Sequence, residues 1–416
     1  MEVEFLGGAR EVGRSAVLID DTLLIDYGLL TADPPQYPVR DPRPDAVVVS
    51  HGHLDHVGAV PALLRGSRRP AIHWTPPTAD LARTLARDTL KLHGTSPLCP
   101  FTDEHVARLG EVEQRHGYGE PFPTLGGVDA GGYEVTLFNA GHIPGSAHVL
   151  VDDGDTRLLY TGDFHTDDQR LVSGTTARPN ADVVICESTY ADVTHEDRAA
   201  VERRWAERVK TTTWEGGTVV APAFAIGRTQ ELLAVADAND LAPYVDGMGI
   251  EVTRMLGHHP EFLRDPEAFR RAKGTARFVT GRDGQRDRIA ADNELIITTS
   301  GMLAGGPVQS YLRKIRASPT NAVTLTGYQV EGTPGRELQD HGRLAIDGRV
   351  QPVSARVESF DFSAHADRDG LESFLDAYPE SRVLVVHGDR CVAFAEDLRA
   401  DGFSASAPEL GEQIEV

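Results

Sequence analysis

The strongest constraint in this chain is Ser50-His51-Gly52-His53-Leu54-Asp55-His56, where three imidazoles and a carboxylate fall within six residues. Asp45-Ala46-Val47-Val48-Val49 precedes it, a short β-branched run that reads as a buried strand. Val57 to Leu64 follows and reads as the start of a helix. A strand-to-helix turn puts the cluster at the carboxyl edge of a sheet, where α/β proteins place their chemistry. Imidazole and carboxylate donors at this density suit zinc or a similar borderline divalent ion. Surface histidines with a capping aspartate are the alternative, and that reading leaves the His-x-His-x-Asp-His spacing to chance.

The chain has 416 residues, enough for two domains with separate cores. No apolar run approaches the roughly 18 residues of a membrane span. Met1-Glu2-Val3-Glu4-Phe5 reads directly as a strand, so neither a signal peptide nor a preceding RNA-binding module is expected. Cys99, Cys186 and Cys391 are odd in number and far apart, which argues against a disulfide framework and for a cytoplasmic protein. The net charge is −22, and only four of the 41 basic residues are lysines. Acid spread along the whole chain with scarce lysine resembles proteins of salt-loving archaea. At 1 M salt the Debye length is about 3 Å, so this charge hardly acts at a distance and does not exclude a nucleic-acid partner. It does require a local arginine-lined groove if one binds.

Further chemistry-bearing residues follow apolar strands. Leu23-Leu24-Ile25 ends in Asp26, which reads equally as a turn-former or as a group orienting a ligand. Thr78 to His93 and Thr102 to His116 carry helical patterns, and His73, His93, His105 and His116 are taken as ordinary residues. Tyr133 to Phe138 alternates like a strand and runs into Gly141-His142-Ile143-Pro144-Gly145-Ser146-Ala147-His148. His148 reads as a packed histidine beside the site. Arg157 to Tyr160 leads to Asp163, and Asp182 to Cys186 leads to Glu187. From residue 191 to 360 the chain turns to strand–loop–helix order, with Thr194 as the expected cap of a first helix. Thr218 to Phe224 reads as a strand leading to Gly227-Arg228 at a helix start, a plausible phosphate cradle. Two similar strand-to-loop segments carry Ser300 and Tyr328. Histidine chemistry then returns in Phe362-Ser363-Ala364-His365 and, after the strand Arg382 to Val386, in His387-Gly388-Asp389.

His-x-His-x-Asp-His after a strand resembles the metallo-β-lactamase superfamily. The segments from Glu187 onward resemble its β-CASP branch of RNA- and DNA-processing nucleases, and most of all the short archaeal relatives of the cleavage and polyadenylation specificity factor nuclease. The resemblance covers nearly the whole chain. It implies an α/β fold, a metallo-β-lactamase αββα sandwich (1–190 and 361–416) with an inserted β-CASP cap (191–360). It implies two zinc ions, one on His51, His53, His142 and Asp163, the other on Asp55, His56, Asp163 and His387. Asp163 would bridge them, at the roughly 3.5–4 Å spacing of two-metal hydrolases. Asp26 would orient a ligand histidine, Asp55 would also hold the attacking water, and His365, oriented by Glu187, would be the general acid. Gly227, Arg228, Ser300 and Tyr328 would contact substrate. Asp389 stands where the family often has Glu, a departure that touches no ligand. The implied activity is hydrolysis of single-stranded RNA, endonucleolytic, with 5′-to-3′ trimming as the alternative. A small-molecule metallohydrolase and a silent RNA-binding subunit are the rival classes. Homodimerisation is a further implication, and no membrane partner is expected.

Overall fold

The computed structural model describes residues 1–32, 34–346 and 348–416. The chain divides into two compact units, one of Met1–Asp168, Ser173–Thr194 and Ala364–Val416, the other of Gln169–Val172 and His195–Ser363.

The first unit is built on two seven-stranded sheets. One runs antiparallel from Gln413–Glu415 through Glu2–Gly7 and Ala16–Ile19 to Leu23–Ile25, then parallel through Ala46–Val48, Ala71–Trp74 and Glu113–Arg115. The other is parallel across Ser404–Ser406, Arg382–Val386, Val183–Glu187 and Arg157–Tyr160. It continues antiparallel through Ala147–Asp152, Tyr133–Asn139 and Phe122–Thr124. Side chains alternate across each strand, and here both faces are covered. Val183, Ile185, Leu384 and Val386 pack with Val3, Phe5, Val17 and Val48 between the sheets. Val184, Cys186, Val383 and Val385 face outward onto Leu371, Phe374, Phe394 and Leu398. Those last four belong to the helices Arg368–Leu375 and Cys391–Ala400. On the far side, Leu18, Leu24, Val47 and Val49 meet Ala82 and Leu109 of the helices Pro76–His93 and Asp103–Val112. The result is a helix–sheet–sheet–helix sandwich, whose strands read as continuous apolar runs because neither face meets water.

The second unit has a six-stranded parallel sheet. Its order is Arg277–Phe278, Tyr244–Asp246, Leu295–Thr298, Val219–Pro222, Ala322–Leu325 and Arg356–Ser359. Helix Arg198–Trp214 buries Val201, Trp205 and Val209 on one face, and Val308–Ile315 buries Tyr311 and Leu312 on the other. The chain leaves Val219–Pro222 to one side for Tyr244–Asp246 and later fills the other side with Ala322–Leu325. Such a reversal opens a crevice at the carboxyl ends of the central strands.

Several local expectations are corrected. The helix after the histidine turn is one α turn, Leu54–Val57, followed by a 3-10 segment, Val60–Leu64, because Gly58 and Pro61 interrupt it. The second helical pattern stops at Val112, and Glu113–Arg115 pairs with Ala71–Trp74 as an edge strand. The cap of Arg198–Trp214 is Asp197, whose carboxylate accepts from the Ala200 amide at 2.8 Å, and not Thr194. The strand expected over Thr218 to Phe224 is confined to Val219–Pro222. Among the described residues no helix is long and apolar enough to cross a membrane.

Glu231, on helix Arg228–Asp237, is buried, and its carboxylate accepts from Arg198 Nη2 at 2.8 Å and from the amides of Arg170 (3.0 Å) and Leu171 (2.8 Å). Burial works against its charge, but Arg198 and the two amides outweigh burial and hold its pKa below the usual glutamate value. Glu231→Ala leaves Arg198 only the more distant carboxylate of Glu202, at 3.8 Å, strips two amides of their acceptor, and is expected to cost about 3–5 kcal/mol, read as a fall in melting temperature. A depressed carboxyl pKa stabilises above its unfolded value of about 4.3 and ceases to as pH falls through the folded value. The stability gap between wild type and variant is therefore expected to narrow in acid and stay constant above about pH 5.

Candidate metal centre

The turns at the strand ends of the first unit bring three donor groups together: His51, His53, His142 and Asp163; Asp55, His56, Asp163 and His387; and Asp163, Glu187 and His365. Within each group the ligand atoms lie within 4.8 Å of one another. Asp163 belongs to all three. His51 Nε2 is 3.5 Å and His142 Nε2 3.8 Å from Asp163 Oδ2, while His56 Nε2 is 3.3 Å and His387 Nδ1 3.4 Å from Oδ1. His387 Nε2 also stands 3.4 Å from Asp55 Oδ2, and His142 Nε2 stands 3.0 Å from His53 Nδ1.

Local backbone sets each donor. The loop bearing Asp55 and His56 is tied down by amides of Ser15 (2.7 Å to Asp55 O) and Tyr27 (2.8 Å to His56 O). Gly28 permits this approach, since a Cβ there would lie 1.7 Å from Asp55 O. Asp26 and His387 hold positive φ, 58° and 49°, a cost of order 1–3 kcal/mol that surrounding bonds must offset. For Asp26 they do so visibly. Its carboxylate accepts from the Ser50 amide and hydroxyl, each at 2.7 Å, and meets His56 Nδ1 at 2.7 Å. The ring of His56 is thereby turned with Nε2 toward Asp163. Ser146 Oγ accepts from the amides of His142 (3.1 Å) and Ile143 (3.2 Å), and the Ala364 carbonyl meets His142 Nδ1 at 2.7 Å. Thr189 Oγ1 donates to Glu187 Oε2 at 2.6 Å and lies 3.1 Å from His387 Nδ1. Both Glu187 oxygens are 3.1 Å from His365 Nδ1, leaving His365 Nε2 4.0 Å from Asp163 Oδ2.

The donor set fits metal. Among the described residues, His51 Nε2, Asp163 Oδ1 and His387 Nε2 are buried and face other donor groups at 3.3–3.5 Å without a well-formed hydrogen bond, an arrangement that costs free energy unless something else satisfies them. Burial pushes the pKa values of His51, His53 and His142 down, so these rings are neutral and ready to ligate. His56 and His387 behave oppositely: burial lowers them, but carboxylates outweigh it and raise both, Asp163 foremost. Their surroundings call for a cation. For His365, burial is outweighed by Glu187 and Asp163, and its pKa rises to about 9.

Ser50, Ser146 and Thr189 carry no signal of their own in the sequence. A lone hydroxyl has no spacing signature, although Ser50 directly precedes His51. His148 is fully buried, meeting Thr161 O at 2.8 Å and Thr175 Oγ1 at 3.0 Å, and is no part of the donor groups. His73 and His116 meet at 3.0 Å and stack with Phe122, and His105 Nδ1 accepts from the Thr102 amide in a capping box.

The remaining candidates lie in the second unit. Gly227 caps helix Arg228–Asp237 with φ 75°, Ser300 follows Leu295–Thr298, and Tyr328 follows Ala322–Leu325. These strands flank Val219–Pro222, so the three turns share one end of the sheet. Arg228 lies beside the 327–328 turn: a Cβ added at Gly327 would stand 3.1 Å from Arg228 Nη1. Ser300 Oγ donates to Gly305 O at 3.4 Å.

Family models match three stretches: the metallo-beta-lactamase superfamily over residues 9–188, the Beta-Casp domain over 230–338, and the Zn-dependent metallo-hydrolase RNA specificity domain over 350–408. The chain is 34% identical over its full length to RNase aCSPSF2 of Saccharolobus solfataricus, covering 85% of that protein. It is 33% identical to Probable RNase MJ4 of Methanocaldococcus jannaschii, with both chains covered completely. Transcription termination factor FttA of the same organism is 32% identical, over 96% of this chain and 69% of that one. A crystal structure of a protein of unknown function from Enterococcus faecalis V583 shares the fold, with a TM-score of 0.59 at 12% identity over 99% of each chain. This chain belongs to the metallo-β-lactamase superfamily, in its β-CASP branch.

Proposed function

We propose that this protein is a zinc-dependent ribonuclease that hydrolyses phosphodiester bonds within single-stranded RNA. The observation that carries the reading is the Asp163 carboxylate, shared by two separate clusters of donors. Metal motifs alone choose no substrate, since one fold hosts several hydrolyses. The choice of RNA is supported by the Beta-Casp and RNA-specificity matches and by relatives that carry ribonuclease names.

In this reading His51, His53, His142 and Asp163 hold one ion, and Asp55, His56, Asp163 and His387 the other. When bound, the two ions supply Lewis acidity, making water a nucleophile near neutral pH and offsetting charge on the phosphoryl oxygens. Asp26 keeps the His56 ring in its ligating orientation. Asp55 accepts a hydrogen bond from the attacking water. Glu187 favours the protonated form of His365 against the effect of burial. With Nδ1 held by Glu187, it donates from Nε2 to the leaving ribose oxygen. Gly227, Arg228, Ser300 and Tyr328 grip the strand. Three cysteines without a disulfide suit the reducing cytoplasm, and the charge of −22 suits a cell interior of molar salt. Exonucleolytic trimming is the second reading, favoured by an RNase J-like protein of Methanocaldococcus jannaschii that is 32% identical over 93% of this chain.

Metal analysis is expected to find about two zinc ions per chain, as two-metal hydrolysis requires. His51→Ala and His387→Ala are each expected to lose metal and activity together. His365→Ala is expected to lower kcat by about 10²–10⁴-fold with metal content unchanged; lost metal in that variant reassigns His365 as a ligand. End-labelled RNA bearing a 5′ triphosphate is expected to yield internal fragments. Mononucleotides released only from 5′-monophosphate RNA select the trimming reading, and intact RNA with ester or lactam turnover removes the ribonuclease assignment.

A further inference from the structure

Two aromatic side chains stand open at the carboxyl ends of neighbouring strands in the second unit. Phe224 follows Val219–Pro222 and is 39% exposed; Tyr328 follows Ala322–Leu325 and is 58% exposed. The core of this unit encloses Trp205, Phe360 and Phe362, while Trp214, at the far end of helix Arg198–Trp214 and away from these strand ends, is also exposed. Leaving apolar ring surface in water forgoes about 25 cal/mol for each Å² that burial would have removed.

Phe224 is also held in place. Its carbonyl accepts from the Thr229 amide at 3.1 Å and from the Thr229 hydroxyl at 2.7 Å. Its ring lies against two glycines from the adjoining turns. A Cβ on Gly301 would stand 3.4 Å from Phe224 Cδ1, and one on Gly327 would stand 3.6 Å from Phe224 Cε2. The same Gly327 position is 3.1 Å from Arg228 Nη1. One exposed ring, one guanidinium and the backbone entering a second exposed ring therefore meet at a single place, and glycine keeps side chains from covering it.

We propose that Phe224 and Tyr328 form a stacking platform for nucleobases of single-stranded RNA, with Arg228 set against the phosphodiester backbone beside them. The proposal rests on the ribonuclease reading and adds to it how the strand is recognised. Aromatic faces interleaved with arginine match what an unpaired strand offers, a base face and a phosphate at each step. Every base has such a face, so the platform holds RNA with little sequence preference. A chain of net charge −22 needs a local cation wherever it meets a polyanion; the cation at this place is Arg228, half-buried and also acting on Asp361. A stacked base also covers ring surface that the fold leaves wet.

Phe224→Leu, Tyr328→Leu and the double variant test this on a short unstructured RNA. Leucine keeps an apolar side chain without a flat face, and melting curves verify the fold. Each single variant is expected to raise KM about tenfold with kcat within about twofold, and Phe224→Trp is expected to restore the wild-type KM. A competitor of the same length lacking bases is expected to inhibit wild type and leucine variants equally. An unchanged KM in the double variant overturns the platform, as does equal weakening of the base-free competitor. Wild-type protein that leaves RNA intact sinks the ribonuclease reading instead. In that event fluorescence decides: Phe224→Trp must show RNA-dependent quenching beyond that of wild type, and its absence overturns the platform independently of turnover.

Discussion

The Asp163 carboxylate is the interaction on which the rest of the metal centre depends. Five imidazoles approach its two oxygens to between 3.3 and 4.0 Å, and it is almost wholly buried. A charge withdrawn from water must be met by opposite charge or by hydrogen bonds. Here the surrounding rings meet it from several directions at once, and they hold its pKa well below the usual carboxylate range against the effect of burial. Those rings come from turns that are remote in sequence and adjacent in the two sheets. Strand pairing therefore does the electrostatic work: Arg157–Tyr160 beside Val183–Glu187, and Val183–Glu187 beside Arg382–Val386, set acid and histidine at one edge.

Around that edge the backbone is under tension and small polar groups hold it. Asp26 and His387 adopt conformations that cost free energy, and Asp26 also forms short bonds to Ser50. Ser146 and Thr189 serve the neighbouring turns in the same way. Each hydroxyl satisfies groups that would otherwise be buried and unpaired, and each limits the freedom of a donor ring. Preorganisation of this kind keeps the donors together despite their mutual repulsion when protonated.

Most segments that bear the donors stand out in the sequence because they follow apolar strands, whose ends are easy to see when both sheet faces are buried; which of their side chains would ligate comes from the family resemblance. Asp26 was ambiguous on residues alone and is resolved by its bonds to Ser50 and His56. Supporting hydroxyls were not legible, since one serine resembles any other. Glu231 reads as an ordinary helix acid until the amides of residues 170 and 171 are placed against it. The strand Glu113–Arg115 is polar and partly exposed, so pairing with Ala71–Trp74 defines it and pattern does not. Thr194 and Asp197 are both good caps, and only geometry separates them. Phe224 reads as the end of the strand from Thr218, and its exposed ring shows only once that strand is seen to stop at Pro222.

The second unit interrupts the first between Thr194 and Ala364. During synthesis a ribosome releases His51, His53, His142 and Asp163 well before His387, which waits for the whole intervening segment. The strand Arg382–Val386, which pairs in parallel with Val183–Glu187, emerges just ahead of that histidine. A growing chain thus carries every donor of one group early, but the Ala364 carbonyl that meets His142 and the His387 ring of the other group both arrive only near the end of translation.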